Sequence, residues 1–234
     1  DVRSSDLVLW AFPLYYLLVP SQYKRFIELI FEKKATAAFR SKFAAVITTS
    51  IHFFDHTAHN YMRALCDDLA MKFAGSFSAS MYDLVRRAER ERYRKFIAVM
   101  FRRIAADTPS SRAYFPVKGK KFDYRPSKIK ETVDPGNRNI LILSDAGGAS
   151  SNLARMVGRL RSSFTGTPQA YNLHDLDIKG GCLGCIQCGY DNSCVYGDSD
   201  DFHDFYETRV KKADIIFYCM ETRDRYFSSL WKRF

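Results

Sequence analysis

The amino-acid sequence predicts an α/β protein built on parallel β-strands. A near-continuous apolar run at residues 6–12 ends at Pro13, and such runs are typical of strands covered on both faces. Pro20 then opens a stretch whose apolar residues recur at helical spacing, which predicts an amphipathic helix. Because strand and helix patterns alternate in this way along the chain, we expect a parallel sheet with helices on its faces.

The remaining elements follow the same alternation in two stretches. The first stretch predicts strands at 43–48 and 72–79 and helices at 57–71 and about 82–106. Residues 109–136 hold four prolines and many lysines without periodicity, which predicts a linker. The second stretch predicts strands at 139–143, 169–173 and 214–219, with helices at 151–164, 200–212 and 228–234.

Composition and charge limit the classes of protein to which this chain can belong. Of the 234 residues, 47% are hydrophobic and 26% charged, which is ordinary for a globular protein with a proper core. The sequence has no run of about eighteen uncharged apolar residues, so we predict no membrane span. The net charge of +10 arises largely at residues 86–103 and 118–130. Glu89 and Glu91 alternate with arginines there, which predicts a solvated helix face and no nucleic-acid partner.

The six cysteines fall into two groups. Cys66 and Cys219 are isolated in apolar contexts, which predicts buried thiols. Together with the four clustered cysteines they indicate a reducing compartment, and we therefore expect a cytoplasmic protein. The chain begins at Asp1 without an initiator Met or a signal pattern, which we interpret as a fragment boundary.

The clustered cysteines are the most distinctive pattern of the sequence. They have the spacing C-x2-C-x2-C-x5-C within thirteen residues: Cys182, Cys185, Cys188 and Cys194. Neighbouring glycines let the backbone wrap closely, and four converging sulfurs suit zinc or an iron–sulfur cluster. Four ligands on a single loop favour a [4Fe–4S] cluster, because zinc ligands are more often divided between separated pairs. Disulfides and an empty loop are the remaining alternatives.

An internal repeat relates the two ends of the chain. The segments that start at Asp6 and Asp214 align without gaps, an offset of 214 − 6 = 208 residues, and both end in Lys-Arg-Phe. The repeat predicts that residues 1–108 are the C-terminal half of one unit and residues 137–234 the N-terminal half of the next, joined by the linker at 109–136. Either the halves close as one permuted sheet, or they form two separate sheets.

Reordered, the two halves resemble the flavodoxin-like fold, and specifically the NADPH-dependent FMN reductase and iron–sulfur flavoprotein families. The resemblance rests on three loops in addition to the cysteines. The first follows strand 139–143 and opens a helix; in the family it holds the FMN phosphate, which implies the phosphate-binding residues Ser144, Gly148, Ser150, Ser151 and Asn152. Leu153 departs from the family pattern, in which a Thr is common.

The other two loops resemble those around the isoalloxazine ring. One has the family pattern P-x-Y-x4-P-x3-K-x-F, which implies ring contacts from Pro13, Leu14, Tyr15 and Tyr16. The other follows strand 43–48 and implies contacts at the pyrimidine side from Thr48, Thr49, Ser50 and His52. His52, His56 and His59 have the spacing of one helix face, but we expect capping or packing roles because no HExxH pattern is present.

The resemblance implies a parallel sheet of order 2-1-3-4-5 with helices on both faces and the cysteine loop after its second strand, beside the flavin. It implies an oxidoreductase that passes electrons between FMN and a [4Fe–4S] cluster, with NAD(P)H or a redox protein as donor. It also implies a homo-oligomer or a pair of tandem units. The alternatives are an FMN-only quinone or nitro-compound reductase, and a zinc-stabilised interaction module without catalysis. No acid or base residue is assigned.

Overall fold

The structure is a computed structural model that describes residues 2–51, 54–117, 119 and 122–234. The chain divides into two compact units. Unit 1 comprises Asp1–Lys118 and Asp224–Tyr226, and unit 2 comprises Gly119–Arg223 and Phe227–Phe234. Each unit contains one three-stranded sheet whose strands run parallel, so the α/β class predicted from the sequence is confirmed.

Unit 1 alternates strand and helix as the sequence predicts. Its elements in chain order are β1 (Leu7–Pro13), α1 (Ser21–Glu32), β2 (Phe43–Ser50), α2 (Asp55–Asp68), β3 (Lys72–Ser80) and α3 (Arg87–Ala105). The strands have the order β1-β2-β3, with Pro13 opposite Thr49 and Ser50 opposite Ser80. All three strands therefore end at the same edge of the sheet, which we call the carboxyl edge of unit 1.

Helices cover both faces of the central strand β2. Ala44 and Val46 point into a core with Trp10 of β1, Ile27 of α1 and Met62 of α2. Phe43 and Ala45 point to the other face, where Met100 of α3 packs against them. This alternation follows from the two-residue period of a strand, since successive side chains point to opposite faces.

Two sequence predictions for unit 1 need correction. Strand β1 is not covered on both faces: Trp10 and Phe12 are buried, but Leu9 on the other face is 44% exposed. The reason is that α3 packs on β2 and β3, which leaves that face of the edge strand uncovered in unit 1. Helix α3 also starts later than predicted, because a 3-10 turn at Asp83–Val85 and an extended Arg86 precede it.

Unit 2 has the same layered plan. Its strands are β4 (Ile140–Ser144), β5 (Gln169–Asn172) and β6 (Ile215–Cys219), in the order β5-β4-β6. Its helices are α4 (Asn152–Arg161), α5 (Cys188–Asp191), α6 (Phe202–Phe205), which continues into a π-helical turn at Tyr206–Val210, and α7 (Ser229–Arg233). A short hairpin of β7 (Thr222–Arg223) and β8 (Tyr226–Phe227) precedes α7.

Strand β4 is paired on both sides by strands of its own half of the chain, β5 and β6. It therefore has no free edge for β1, and the prediction of one permuted sheet closed across the two halves is wrong. The structure instead has the predicted alternative, two separate three-stranded sheets. Within the predicted linker, the described residues form no helix or named strand, and Val133 makes an isolated parallel bridge to Phe164.

The core of unit 1 generates a stability prediction. Ile27 of α1 is fully buried, whereas its neighbour Phe26 is 47% exposed. Replacing Ile27 by Ala removes buried methylenes and leaves a cavity, so we expect Ile27→Ala to lower the free energy of unfolding by about 2–5 kcal/mol. Phe26→Ala, which removes a larger side chain, should cost about 1 kcal/mol. Urea unfolding followed by tryptophan fluorescence and circular dichroism measures both, and equal losses would contradict this packing.

Candidate functional site

The cysteine loop of unit 2 is shaped by left-handed backbone positions. Gly184 has φ of 67°, Ile186 has φ of 65° and Asn192 has φ of 58°. Glycine and asparagine adopt this region readily, but a β-branched residue such as Ile186 rarely does. The loop therefore contains one backbone conformation that its own sequence disfavours, and such conformations persist where the surroundings hold them.

All four clustered cysteines line one cavity of about 310 Å³ in unit 2. They are free thiols: Cys182, Cys185 and Cys188 are exposed and Cys194 is partly exposed. The structure brings the sulfurs around one space but not to metal-binding distance, since no group of three or more His, Cys, Asp or Glu side chains within the described ranges is arranged to hold a metal ion. The disulfide alternative is not adopted in this structure.

The cavity is also lined by residues that the sequence did not predict as part of a site. Its apolar wall includes Ile178, Phe202, Tyr206 and Phe234, and His203 lies among them. Phe202 stacks on Tyr206 with ring centroids 5.9 Å apart, the i, i+4 spacing of neighbours on one helix face. The helix predicted at 200–212 is consistent with this pair, but its place on the cavity wall depends on which segments meet in the fold.

Positive charge and an amide donor lie next to the first cysteine. The backbone N–H of Gly184 donates a hydrogen bond to Cys182 Sγ at 3.4 Å. Lys232 of α7 is partly buried; this burial lowers the pKa of its ammonium group, and the negative charge of a Cys182 thiolate opposes that effect.

The carboxyl edge of unit 1 brings together most of the residues predicted to contact a flavin ring. Leu14 N–H donates to Thr49 O at 2.8 Å, so the loops after β1 and β2 lie side by side. Tyr15 and Tyr16 are 48% and 63% exposed, and they present two aromatic rings at this edge. Pro13 is also exposed, whereas Leu14 is buried beneath the loop.

The hydroxyls of the second loop are less available than the sequence suggests. Thr48 is buried, and its Oγ1 lies 2.8 Å from Nε2 of His59 on α2. Ser50 is buried as well, and only Thr49 is exposed. Burial lowers the pKa of His59 while the charge of Asp55 raises it. His52 lies outside the described residues.

A third loop at this edge was not predicted as part of the site. Met81 N–H donates to Ser50 O at 2.9 Å, which places Met81 and Tyr82 next to the loop after β2, and both are exposed. The only signal for them in the sequence was their position directly after a strand, because parallel strands end at one edge.

In unit 2 the predicted phosphate loop is partly committed to other contacts. Ser144 is buried at the end of β4, whereas Gly148 and Ser150 are exposed. Ser151 caps α4 by accepting from Ala154 N–H at 3.1 Å. Asn152 accepts from Tyr124 N–H at 2.8 Å and donates to Phe122 O at 2.6 Å, so its side chain holds the linker.

Two further polar residues of unit 2 border this loop. Asp145, which directly follows β4, is buried and accepts hydrogen bonds from Glu221 N–H and the Ser228 hydroxyl. A Cβ built on Gly147 would lie 3.8 Å from Nη2 of Arg223, so this guanidinium group stands next to the loop. The charged stretch around Arg223 was visible in the sequence, but its position beside Gly147 depends on the hairpin.

Comparison with protein-family models, curated proteins and solved structures found no match to this chain. Among the described helices, none combines the length and the apolar character needed to cross a membrane.

The environments of the cysteines predict different reactivities. Burial raises the pKa of Cys66 to about 12, so this thiol stays protonated at pH 8, where exposed thiols are partly ionised. We expect iodoacetamide at pH 8 to modify Cys182, Cys185 and Cys188 in a metal-free sample and to leave Cys66 unmodified until urea is added. Peptide mass spectrometry reads this directly. Rapid labelling of Cys66 in the native protein would contradict its burial.

Proposed function

We propose that this chain is a redox protein whose cysteine loop holds an inorganic cofactor. The observation that carries the proposal is the cavity of about 310 Å³ lined by four free thiols from one loop. More specifically, we propose an FMN-dependent NAD(P)H oxidoreductase of the iron–sulfur flavoprotein type, which passes electrons between FMN and a [4Fe–4S] cluster.

The residues around the cavity fit a cluster chemically. Cys182, Cys185, Cys188 and Cys194 supply the four thiolates that such a cluster requires. The bound cluster would carry net negative charge, which Lys232 and the Gly184 N–H would stabilise. Its binding requires the sulfurs to close around the metal, since they are not at metal-binding distance in this structure.

The carboxyl edge of unit 1 fits a flat aromatic ring. Tyr15 and Tyr16 are exposed, and Pro13 and Thr49 lie beside them at the same edge. The loop of Met81 and Tyr82 continues this edge on the far side of β2, where Met81 N–H donates to Ser50 O. Aromatic walls bind such a ring through apolar contact and stacking.

The loop after β4 in unit 2 fits an anion less completely. Gly148 and Ser150 are open. Arg223 adds positive charge, which its ion pair with Glu221 at 3.2 Å partly offsets. Ser151 and Asn152 are engaged with α4 and the linker. A phosphate there would be held chiefly by exposed backbone N–H groups and by Arg223. Asn152 would join only if residues 122–124 moved away.

When bound, the flavin supplies two-electron chemistry and the cluster supplies one-electron chemistry. Together they convert a two-electron transfer into two one-electron transfers. The described residues bind and orient: the tyrosines hold a ring, the cysteines hold the metal and Lys232 offsets charge. NAD(P)H or a one-electron redox protein would be the donor.

The fold proposal that accompanies this function is that each unit is half of a flavodoxin-like sheet of order 2-1-3-4-5. The observed orders β1-β2-β3 and β5-β4-β6 are those expected of its two halves, 3-4-5 and 2-1-3. Units that are each half a sheet favour pairing with a tandem unit or a second chain, and free thiols favour the reducing cytoplasm.

A second candidate is an FMN-only quinone or nitro-compound reductase. The observation that favours it is the spread of the four sulfurs, which are not gathered as a metal group among the described residues. A zinc-stabilised interaction module is a third candidate, since the same thiolates suit zinc.

Metal analysis separates these candidates. Purified anaerobically as the full chain, the protein should contain about four iron atoms and four sulfides per chain together with FMN, and should be brown. Cys185→Ser should lower the iron content severely, whereas Cys219→Ser, which removes a thiol outside the loop, should leave it unchanged. Flavin without iron would favour the FMN-only reductase, and one zinc per chain without flavin the interaction module. Either result would overturn the primary proposal.

The ring contact makes a separate prediction. Tyr16→Ala removes an exposed ring from the carboxyl edge of unit 1, and loss of about 1 kcal/mol of aromatic contact weakens binding about fivefold. Fluorescence quenching of FMN and of lumiflavin, which has the ring but no phosphate, should show the same loss. Phe115→Ala, which removes a still more exposed aromatic ring elsewhere in unit 1, is the control. A loss confined to FMN would place Tyr16 near the phosphate and contradict the ring assignment.

A further inference from the structure

Helix α3 of unit 1 carries a strongly basic solvent face. Between residues 86 and 103 the chain has eight Arg and Lys residues against two Glu residues. Arg87, Arg94, Lys95 and Arg102 are exposed and recur at about seven-residue spacing, so they form one stripe along the helix. The stripe extends over roughly 22 Å, because a helix rises about 1.5 Å per residue. We call these four residues the basic stripe.

The opposite side of α3 is already used. Met100 is buried against Phe43, Ala45 and Ala74 of the sheet, and Phe96, Ile97 and Ile104 pack around it. The apolar face of the helix is therefore part of the core of unit 1. A helix that lies in a lipid surface needs that face for the acyl chains, so α3 does not have the form of a membrane-surface helix.

An exposed apolar patch directly precedes the basic stripe. Its members are Met81, Tyr82, Leu84 and Val85, all exposed, with Val85 at 73%. Arg90 of α3 donates to Leu84 O at 3.3 Å and to Val85 O at 3.2 Å, which fixes the patch to the start of the helix. Met81 also borders the loop after β2, so the patch adjoins the carboxyl edge where we propose the flavin ring.

We propose that the apolar patch and the basic stripe together form the docking site of an acidic one-electron redox protein. This inference rests on the proposed flavin function. An apolar centre with a charged rim is the usual form of a protein interface, and electron-transfer partners use small ones. Opposite charge steers such partners together, so a positive stripe of this length fits a negatively charged protein surface.

The route of electrons follows from the position of the patch. A reduced partner docked on it gives up one electron per encounter to the flavin beside the patch and leaves oxidised. Two encounters deliver two electrons, and the two protons come from solvent. No bond to the partner forms or breaks. The basic stripe is longer than the group of phosphates in one dinucleotide. Its length therefore favours a protein donor over NAD(P)H at this surface.

The test uses the full chain and an acidic plant-type [2Fe–2S] ferredoxin as the probe. In the triple variant Arg87→Glu/Arg94→Glu/Lys95→Glu, the dissociation constant at low salt should rise about 10- to 100-fold, and the salt dependence of binding should shrink. Glutamate at position 87 lies in the first turn of α3, where negative charge is favourable, so the fold should persist and circular dichroism checks this.

The matched control is Lys33→Glu/Lys34→Glu/Arg40→Glu. These three exposed residues belong to unit 1 and give the same change of charge, but they lie after α1, toward the amino ends of the strands. The control should bind ferredoxin with little change. Val85→Ser, which alters the patch without altering charge, should weaken binding at both low and high salt.

Several outcomes would overturn the proposal. They are unchanged ferredoxin binding by the triple variant, an equal loss in the control, and binding of RNA or anionic vesicles but not ferredoxin through the same residues. A matching loss of NADPH-driven flavin reduction in the triple variant would instead assign the arginines to the dinucleotide. Because ferredoxin binding is measured without any need for flavin, a chain that binds ferredoxin but holds no flavin contradicts the proposed function alone.

Discussion

Parallel strand pairing is the constraint on which the candidate sites depend. When strands run in the same direction, the loops that leave their carboxyl ends meet at one edge of the sheet. In unit 1 two backbone hydrogen bonds join these loops, one from Leu14 N–H to Thr49 O and one from Met81 N–H to Ser50 O. Each bond joins residues more than thirty positions apart in the chain (49 − 14 = 35 and 81 − 50 = 31), and the aromatic edge depends on that register.

The cysteine loop depends on a different constraint, the shape of its own backbone. Ile186 holds a left-handed conformation, and a Cβ added at Gly189 would lie 3.3 Å from its Cγ2. Strain at such a position costs about 1–3 kcal/mol and lasts only where neighbouring structure fixes it. The position between Cys185 and Cys188 links that strain to the placement of the sulfurs around the cavity.

The repeat shows how tertiary context gives one sequence motif two roles. Lys24 and Lys232 occupy equivalent positions of the repeated Lys-Arg-Phe ending. Lys24 is fully buried with its Nζ 3.2 Å from Glu28 Oε1, so it forms part of the core of unit 1. Lys232 is only partly buried; burial lowers its pKa and the charge of Cys182 opposes that effect. A lysine at the same position of the repeat thus forms a buried ion pair in one unit and is partly exposed in the other.

The sequence by itself determined the α/β class, the positions of the main strands and helices, and the chemistry concentrated in the cysteine spacing. These depend on local periodicity and on residue type, which a single chain displays directly. The tertiary structure alone decided that β4 pairs on both sides within its own half, that one face of β1 is uncovered, and that Met81 and Tyr82 lie next to the end of β2. It also decided that the Thr48 hydroxyl is hydrogen-bonded to His59 and that the Asn152 side chain is hydrogen-bonded to the linker. Each of these outcomes depends on which distant segments meet, and the spacing of residues along the chain does not contain that information.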